Sequence, residues 1–256
     1  MLKMKLIIGN TGLVGKRMVE KEHFDHQFNT QNIDSFKNIA KDGDELFLSC
    51  LPATKWMVNK NPQNDMVNIN NIINIISNIH FSKVTLISTI DVYDKSPLGS
   101  DEDTIPFFND IGYGSNRYVF ELMVRSLVSY NNLKIFRLPA IFDINIKKNI
   151  LFDLINNNNL QNVCGNSTYQ WYNLNNLHYD INLYSKKYPN ENVINLFTEP
   201  IETKEIVSLF PHIKNLINYD NKPIIYDYKT KFGGYIDNKD NILQQIKKFI
   251  YEISFK

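Results

Sequence analysis

Cysteine is almost absent from the 256-residue chain: Cys50 and Cys164 are too few and too far apart to build a disulfide framework or a cysteine metal cluster. The expectation is a protein of a reducing cytoplasm with no metal centre. An excess of charge of either sign is missing as well. Lys and Arg number 28 against 27 Asp and Glu, a net charge of +1 with a pI near 7.7, and the two signs are interspersed. That leaves no electrostatic footprint for nucleic acid or an anionic membrane. Long apolar runs are lacking too. The opening Met1-Leu2-Lys3-Met4-Lys5-Leu6-Ile7-Ile8 ends in a glycine loop without a small-residue cleavage site, and nothing approaches the roughly 18 apolar residues of a membrane span. Small molecules are the expected partners, with no nucleic acid and no membrane. Asparagine is plentiful, as in the run Asn156 to Asn159, and is read as genome composition rather than chemistry.

What is present is an alternation. Lys5 to Ile8 reads as a buried strand, Gly9 to Gly15 as a loop, and Leu13 to Lys21 as a helix. Gln27 to Thr30 is expected as a second strand, Asp34 to Ala40 as a brief helix and Glu45 to Cys50 as a third strand. Pro62 to His80 should form a long amphipathic helix, with Met66, Ile69, Ile72, Ile73 and Ile76 on one face. Then come a strand at Lys83 to Ser88, a helix at Gly112 to Tyr130 and a strand at Leu133 to Leu138. Such alternation predicts an α/β doubly wound parallel sheet over the first 140 residues. Beyond Pro139 the pattern loosens into helices near Ile150 to Asn157 and Leu177 to Lys186, with an extended piece at Tyr169 to Tyr172. A strand at Val193 to Leu196 and helices at Thr203 to Phe210 and Asn238 to Ile253 follow. This second part is expected to be a small substrate-capping subdomain.

Three motifs carry chemistry. Gly9-Asn10-Thr11-Gly12-Leu13-Val14-Gly15 leaves the first strand and opens the first helix, the context in which a glycine loop admits a pyrophosphate to the free N–H groups of a helix start. Ser88-Thr89-Ile90-Asp91-Val92-Tyr93 stands at the carboxyl end of a strand, where parallel α/β sheets place their ligands; a Ser-Thr pair there is otherwise a plain loop initiator. In Gly112-Tyr113-Gly114-Ser115-Asn116-Arg117 a phenol and a cation lie four residues apart, on one helix face at about 5 to 6 Å between Cβ atoms. A fixed cation favours the phenolate and is expected to lower the tyrosine from its usual value near ~10, making Tyr113 an acid/base for neutral pH.

The set resembles the extended branch of the short-chain dehydrogenase/reductase superfamily, the NAD-dependent epimerase/dehydratase group acting on nucleotide sugars, over most of the chain. The resemblance implies a Rossmann-type fold with a dinucleotide-binding domain at 1–141 and a small, partly interleaved substrate-binding region at 142–256. It implies NAD or NADP as cofactor, held by Gly9, Thr11, Gly12, Leu13, Val14 and Gly15 of the phosphate loop and by Asn29 at the end of the second strand. Leu51, Pro52 and Thr54 after the third strand, Ser88, Tyr113, Arg117 and Pro139 complete that set. Thr89, Tyr113 and Arg117 are the implied catalytic residues, Asp91, Lys148 and Asn149 the implied substrate contacts, and a nucleotide sugar the implied substrate. A homodimer is implied through the Gly112 to Tyr130 helix, although periodicity alone does not separate an interface from a core face.

Several features depart from the family pattern. Arginine stands at position 117 where the family usually has a lysine, and it keeps the charge but does not deprotonate. Ile90 replaces the first carboxylate of the dehydratase pair, which ranks dehydration below reduction or epimerisation. The acidic residue that normally holds the adenosine ribose is missing near Phe28-Asn29-Thr30, so NAD and NADP both remain open. The region after Pro139 is short, and a minimal lid follows. His178 reads as an extra acid or base or as a structural histidine, Asp153 and Lys148 as diphosphate contacts or surface charges, and Trp171 as a family element or plain core. The alternative function is a catalytically impaired NAD(P)-binding regulatory or scaffold protein.

Overall fold

The computed structural model describes residues 3–254; the expected domain ends Met1, Leu2, Phe255 and Lys256 lie outside the described residues. The chain forms two compact units. The first runs through Ser96 and includes Ile105–Arg137 and Asn176–Ile194; the second comprises Pro97–Thr104, Leu138–Asn175 and the chain from Asn195 onward.

The first unit holds a six-stranded sheet. Its strands are β1 (Lys5–Ile8), β2 (His26–Phe28), β3 (Glu45–Leu48), β4 (Lys83–Thr89), β5 (Leu133–Leu138) and β9 (Val193–Asn195), in the order β2-β1-β3-β4-β5-β9. β1 pairs in parallel with both β2 and β3, and β3 pairs in parallel with β4. β5 is buried along its whole length and β1 and β3 at all but their first residue, as expected where helices cover both faces of a parallel sheet. The helices of this unit are α1 (Leu13–Lys21), α2 (Phe36–Ile39), α3 (Lys55–Lys60), α4 (Pro62–Ile76), α5 (Tyr113–Leu127) and α7 (Leu177–Lys187). Ile69, Ile73 and Ile76 of α4 and Phe120 and Val124 of α5 pack into one core with Leu6, Leu46 and Leu86 of the sheet. The strand order reverses between β1 and β3, so the loops after these two strands open onto a topological switch point, the crevice where such sheets bind ligands.

Several boundaries differ from the sequence reading. β2 ends at Phe28 rather than Thr30 because Asn29 and Asn32 close a turn, with the Asn29 N–H donating to Asn32 Oδ1 at 2.8 Å. The helix expected over Asp34 to Ala40 splits into a 3-10 turn at Ile33–Ser35 and the short α2. α4 stops at Ile76, short of His80, whose N–H is taken by Asp42 Oδ1 at 2.8 Å on the approach to β4. α3 is absent from the sequence reading: Lys55 to Lys60 is too short for a periodic signal.

The second unit contains β6 (Ala140–Phe142) beside β8 (Trp171–Asn173), β7 (Thr168–Tyr169) beside β10 (Ile201–Glu202), and helices α6 (Ile150–Asn156), α8 (Thr203–Val207) and α9 (Lys239–Ser254). Its core includes Phe142, Leu151, Trp171, Ile206, Ile246 and Phe249. α8 ends at Val207, not Phe210, because Pro211 holds the residue before it out of the helical region; Phe210 lies at φ −125 and ψ 71.

Candidate functional site in the first unit

The glycine loop is built by close backbone approach. Gly9 sits at φ +102, and a Cβ there would overlap the Ser49 carbonyl at the end of β3. A Cβ on Gly15 would overlap the Gly9 carbonyl oxygen, so the loop folds onto the first turn of α1 only with glycine at both positions. The Gly9 N–H donates to Phe28 O at 2.8 Å and the Gly12 N–H to Gly9 O at 3.2 Å, which fixes the turn. Gly12 is the N-cap of α1, no side chain of the described residues caps that end, and the first turn carries no acidic group. First-turn N–H groups are thus left to meet an anion. Thr11 and Gly12 are exposed, Leu13 and Val14 half-buried. This cradle fits the pyrophosphate of a dinucleotide. Asn29 lies beside it with its side chain engaged locally: Nδ2 donates to Asn10 Oδ1 at 3.3 Å and Oδ1 accepts the Gln31 N–H at 2.8 Å.

The second half of the site gathers around the start of α5. β4 delivers Thr89, whose Oγ1 accepts the Asp91 N–H at 3.2 Å and donates to Asp91 Oδ2 at 3.1 Å. The following 3-10 turn, Ile90–Tyr93, lies under α5 so closely that a Cβ on Gly114 would overlap the Asp91 carbonyl. The start of α5 is fastened by the Tyr113 N–H, which donates to Asn59 Oδ1 on α3 at 2.8 Å, and by Ser115 Oγ, which accepts the Gly112 N–H at 2.8 Å. The Asp91 carboxylate, expected as a substrate contact, receives Lys55 Nζ at 2.7 Å on its other oxygen.

Arg117 stacks on the residue expected to be its chemical partner, with the guanidinium carbon 4.5 Å from the Tyr113 ring centroid. Its terminal nitrogens are occupied elsewhere: Nη1 donates to Asp65 Oδ2 at 2.7 Å, and Nη2 to Asp65 Oδ1 at 3.2 Å and to Pro52 O at 2.6 Å. Arg117 and Asp65 are both buried, and Asn116 Nδ2 adds a bond to the same carboxylate at 2.9 Å. The arginine therefore clamps α5 to α4 and to the loop after β3, the loop that carries Leu51, Pro52 and Thr54. Thr54 is the N-cap of α3.

The expected depression of the Tyr113 phenol is corrected by its surroundings. Burial raises it above the ordinary tyrosine value; Arg117 and Lys55 pull it down, Asp91 pushes it up, and the sum stays on the raised side. Tyr113 is thus a neutral phenol at physiological pH, suited to donating a proton, rather than a standing phenolate. At the mouth of the same crevice, burial pushes the Cys50 thiol up to about 12, leaving it a poor nucleophile.

Ser88, expected to contact the cofactor, turns its hydroxyl inward, donating to Glu121 Oε1 at 2.6 Å. Glu121 is fully buried and holds Arg137 in a bidentate pair, Nε to Oε1 at 2.9 Å and Nη2 to Oε2 at 2.6 Å, while Arg137 also donates to the Tyr93 hydroxyl. This network ties the carboxyl end of β4 to α5 and β5. The sequence reading missed Asp65 and Glu121 as site residues and gave Lys55 only as the last residue of the run Leu51-Pro52-Ala53-Thr54-Lys55 after the third strand. Glu121 had a signal, as the third member of the series Tyr113, Arg117, Glu121 spaced by four on α5, and Arg137 had one as a charge, with Lys134, among the apolar residues of β5.

Pro139, Lys148 and Asn149 belong to the second unit. Pro139 is buried between β5 and β6. Asn149, at φ +125, is the N-cap of α6: its Oδ1 accepts the Phe152 N–H at 3.0 Å and its Nδ2 donates to Ile141 O at 2.9 Å. Lys148 is exposed. Asp153 Oδ1 accepts a bond from Asn158 at 2.8 Å, and Trp171 is core. His178 stands on α7 with Nε2 3.9 Å from Glu22 Oε1. Among the described residues no group of three or more His, Cys, Asp or Glu could hold a metal ion, and no helix is long and apolar enough to cross a membrane.

No family model matches the chain, and no curated protein is similar to it at a significant level. Solved structures are similar over nearly the whole chain. MoeE5 in complex with UDP-glucose and NAD superposes with a TM-score of 0.71 at 12% identity, over 99% of this chain and 100% of the other. The dTDP-4-dehydrorhamnose reductase of Yersinia enterocolitica gives 0.71 at 11% identity, over 98% and 100%. The UDP-N-acetylglucosamine 4-epimerase of Methanobrevibacter ruminantium M1, in complex with UDP-N-acetylmuramic acid, gives 0.70 at 14% identity, over 100% of both chains. The chain shares the Rossmann-like α/β fold of nucleotide-sugar epimerases and reductases.

Proposed function

We propose that the protein is an NAD(P)-dependent oxidoreductase or epimerase acting on a nucleotide-activated sugar. The observation that carries this reading is the convergence within one unit of the glycine cradle, the Thr89 strand end and the Tyr113 helix start, in the fold of enzymes that handle such sugars. Gly9, Thr11, Gly12, Leu13, Val14 and Gly15 hold the cofactor diphosphate against α1, with Asn29 on the ribose side and Leu51, Pro52 and Thr54 lining the remainder. The cofactor, when bound, supplies hydride transfer to or from a sugar carbon. Tyr113 gives a proton to the oxygen on that carbon or takes one from it, and Thr89 hydrogen-bonds the same oxygen as charge develops there. Arg117 keeps the Tyr113 ring and the loop after β3 in register. Asp91 is the proposed sugar or diphosphate contact of this unit. Because Ile90 stands in place of the first carboxylate of the dehydratase pair, reduction or epimerisation ranks above dehydration. A homodimer formed through α5 is the proposed assembly.

Absorbance at 340 nm with a panel of nucleotide sugars tests the reading. Turnover by the native protein that Tyr113→Phe removes supports it; cofactor binding with no turnover on any sugar contradicts it. A second reading, an NAD(P)-binding protein without catalysis, is favoured by the engagement of Arg117 with Asp65 and Pro52. Arg117→Lys discriminates: a large gain in rate marks a weakened enzyme, and silence in both proteins marks a binding protein.

A further inference from the structure

Lys55 has no part in the chemistry proposed above, yet it stands among its polar contacts. Lys55 and Asn59 lie four residues apart on α3 and leave the helix on one face, the face whose Asn59 Oδ1 accepts the Tyr113 N–H. From that face the Lys55 ammonium reaches Asp91 Oδ1 at 2.7 Å and Asp94 Oδ1 at 3.7 Å. The second Asp91 oxygen takes the Thr89 hydroxyl at 3.1 Å, and the Asp91 carbonyl lies against Gly114, the neighbour of Tyr113. Lys55, Asp91 and Thr89 thus form one bonded chain along the start of α5.

Three charged groups act on the Tyr113 hydroxyl: Arg117 from α5, Asp91 from the turn after β4, and Lys55 from α3. The Arg117 charge is already balanced by a buried carboxylate, Asp65, with which it shares two bonds. We propose that Lys55 is the positioning cation of this site, fixing the Asp91 carboxylate and through it the Thr89 hydroxyl, and offsetting the Asp91 charge at the Tyr113 hydroxyl. The inference rests on the reading of Tyr113 as the acid/base and adds the group that sets its charge. Burial works against the Lys55 ammonium, but Asp91 and Asp94 outweigh it and hold the amine above the ordinary lysine value, so the cation persists throughout the pH range in which the site works. Lysine also brings what an arginine clamped to two partners lacks: a compact ammonium on a flexible stem that follows its carboxylate.

The test is a titration of the Tyr113 phenol by carbon NMR of tyrosine labelled at Cζ, in protein without added cofactor, with the resonance assigned by its loss in Tyr113→Phe. Lys55→Gln keeps a hydrogen-bond donor and removes the charge. It should raise the Tyr113 pKa, Lys55→Arg should restore it, and Asp91→Asn should lower it. The Lys55→Gln/Asp91→Asn double variant, which loses opposite charges together, should titrate near the native value. A Tyr113 titration unmoved by Lys55→Gln, or a double variant that follows Asp91→Asn alone, overturns the proposal. On the best nucleotide sugar, the pH limb of kcat set by Tyr113 should move with the phenol in Lys55→Gln, which a purely structural lysine would not produce. The titration needs no turnover: if no sugar is converted while Lys55→Gln still shifts the phenol, the functional reading fails and Lys55 keeps its role at Tyr113.

Discussion

Arg117 and Asp65 form a buried bidentate ion pair, 2.7 Å from Nη1 to Oδ2 and 3.2 Å from Nη2 to Oδ1, across 52 residues of sequence. The pair joins α5 to α4, and the third Arg117 bond, to Pro52 O at 2.6 Å, carries the clamp to the loop after β3. The cation under Tyr113 is therefore a structural member first, and the geometry of the site depends on it.

Asp65→Ala should cost about 3–5 kcal/mol, because it leaves a buried guanidinium unpaired. Urea unfolding followed by circular dichroism measures this; a loss below about 1 kcal/mol, the range of an exposed pair, would show that the clamp does not hold the fold.

A second buried network makes a similar demand. Glu121 accepts from Ser88 and from two Arg137 nitrogens, so Glu121→Ala should also destabilise by about 3–5 kcal/mol. It should release the end of β4 and lower turnover even at temperatures where the protein remains folded. Thermal unfolding combined with rate measurements well below the transition separates the two effects.

The pH dependence follows from the raised Tyr113 phenol. A folded value above the unfolded one means that the stability contributed is present below the usual tyrosine value near ~10 and is lost as pH rises through the folded value. In the reducing direction the neutral phenol is the proton donor, so that rate should be level from pH ~6 to ~9. In the oxidising direction the phenolate is needed, so the rate should climb across the same interval without a plateau. A plateau near pH ~7 in the oxidising direction would mean that the cations outweigh burial.

Gly15→Ala places a methyl on the Gly9 carbonyl and must open the loop. NADH fluorescence titration should show at least a tenfold weaker affinity, about 1.4 kcal/mol, while Gly43→Ala, whose Cβ meets nothing within 4 Å but which sits at φ +91, should affect stability and leave cofactor affinity unchanged.

Much of the fold was legible in the sequence because its signals are local. The Gly9 to Gly15 loop is constrained by backbone approach, and α4 announces itself through isoleucines at helical spacing. What stayed hidden depends on distant partners. Nothing near Arg117 in sequence indicates that Asp65 will take its guanidinium, so a cation beside a phenol read as a depressed phenol; burial and Asp91 reverse that sign. Ser88 read as a ligand contact because its partner Glu121 lies 33 residues away. α3 is six residues long, too brief for periodicity, and the bond from its Lys55 to Asp91 spans 36 residues of sequence. Likewise Asn149 read as a substrate contact although its amide caps α6, a role that asparagine favours.

The most direct measurement is single-turnover absorbance at 340 nm for the native protein and Tyr113→Phe, each mixed with NAD or NADP and a panel of UDP- and dTDP-linked sugars. Reduction of bound cofactor by at least one sugar in the native protein, slowed at least a hundredfold in Tyr113→Phe with cofactor affinity unchanged, is the expected result; equal rates in the two proteins would contradict the assignment of Tyr113 as the acid/base.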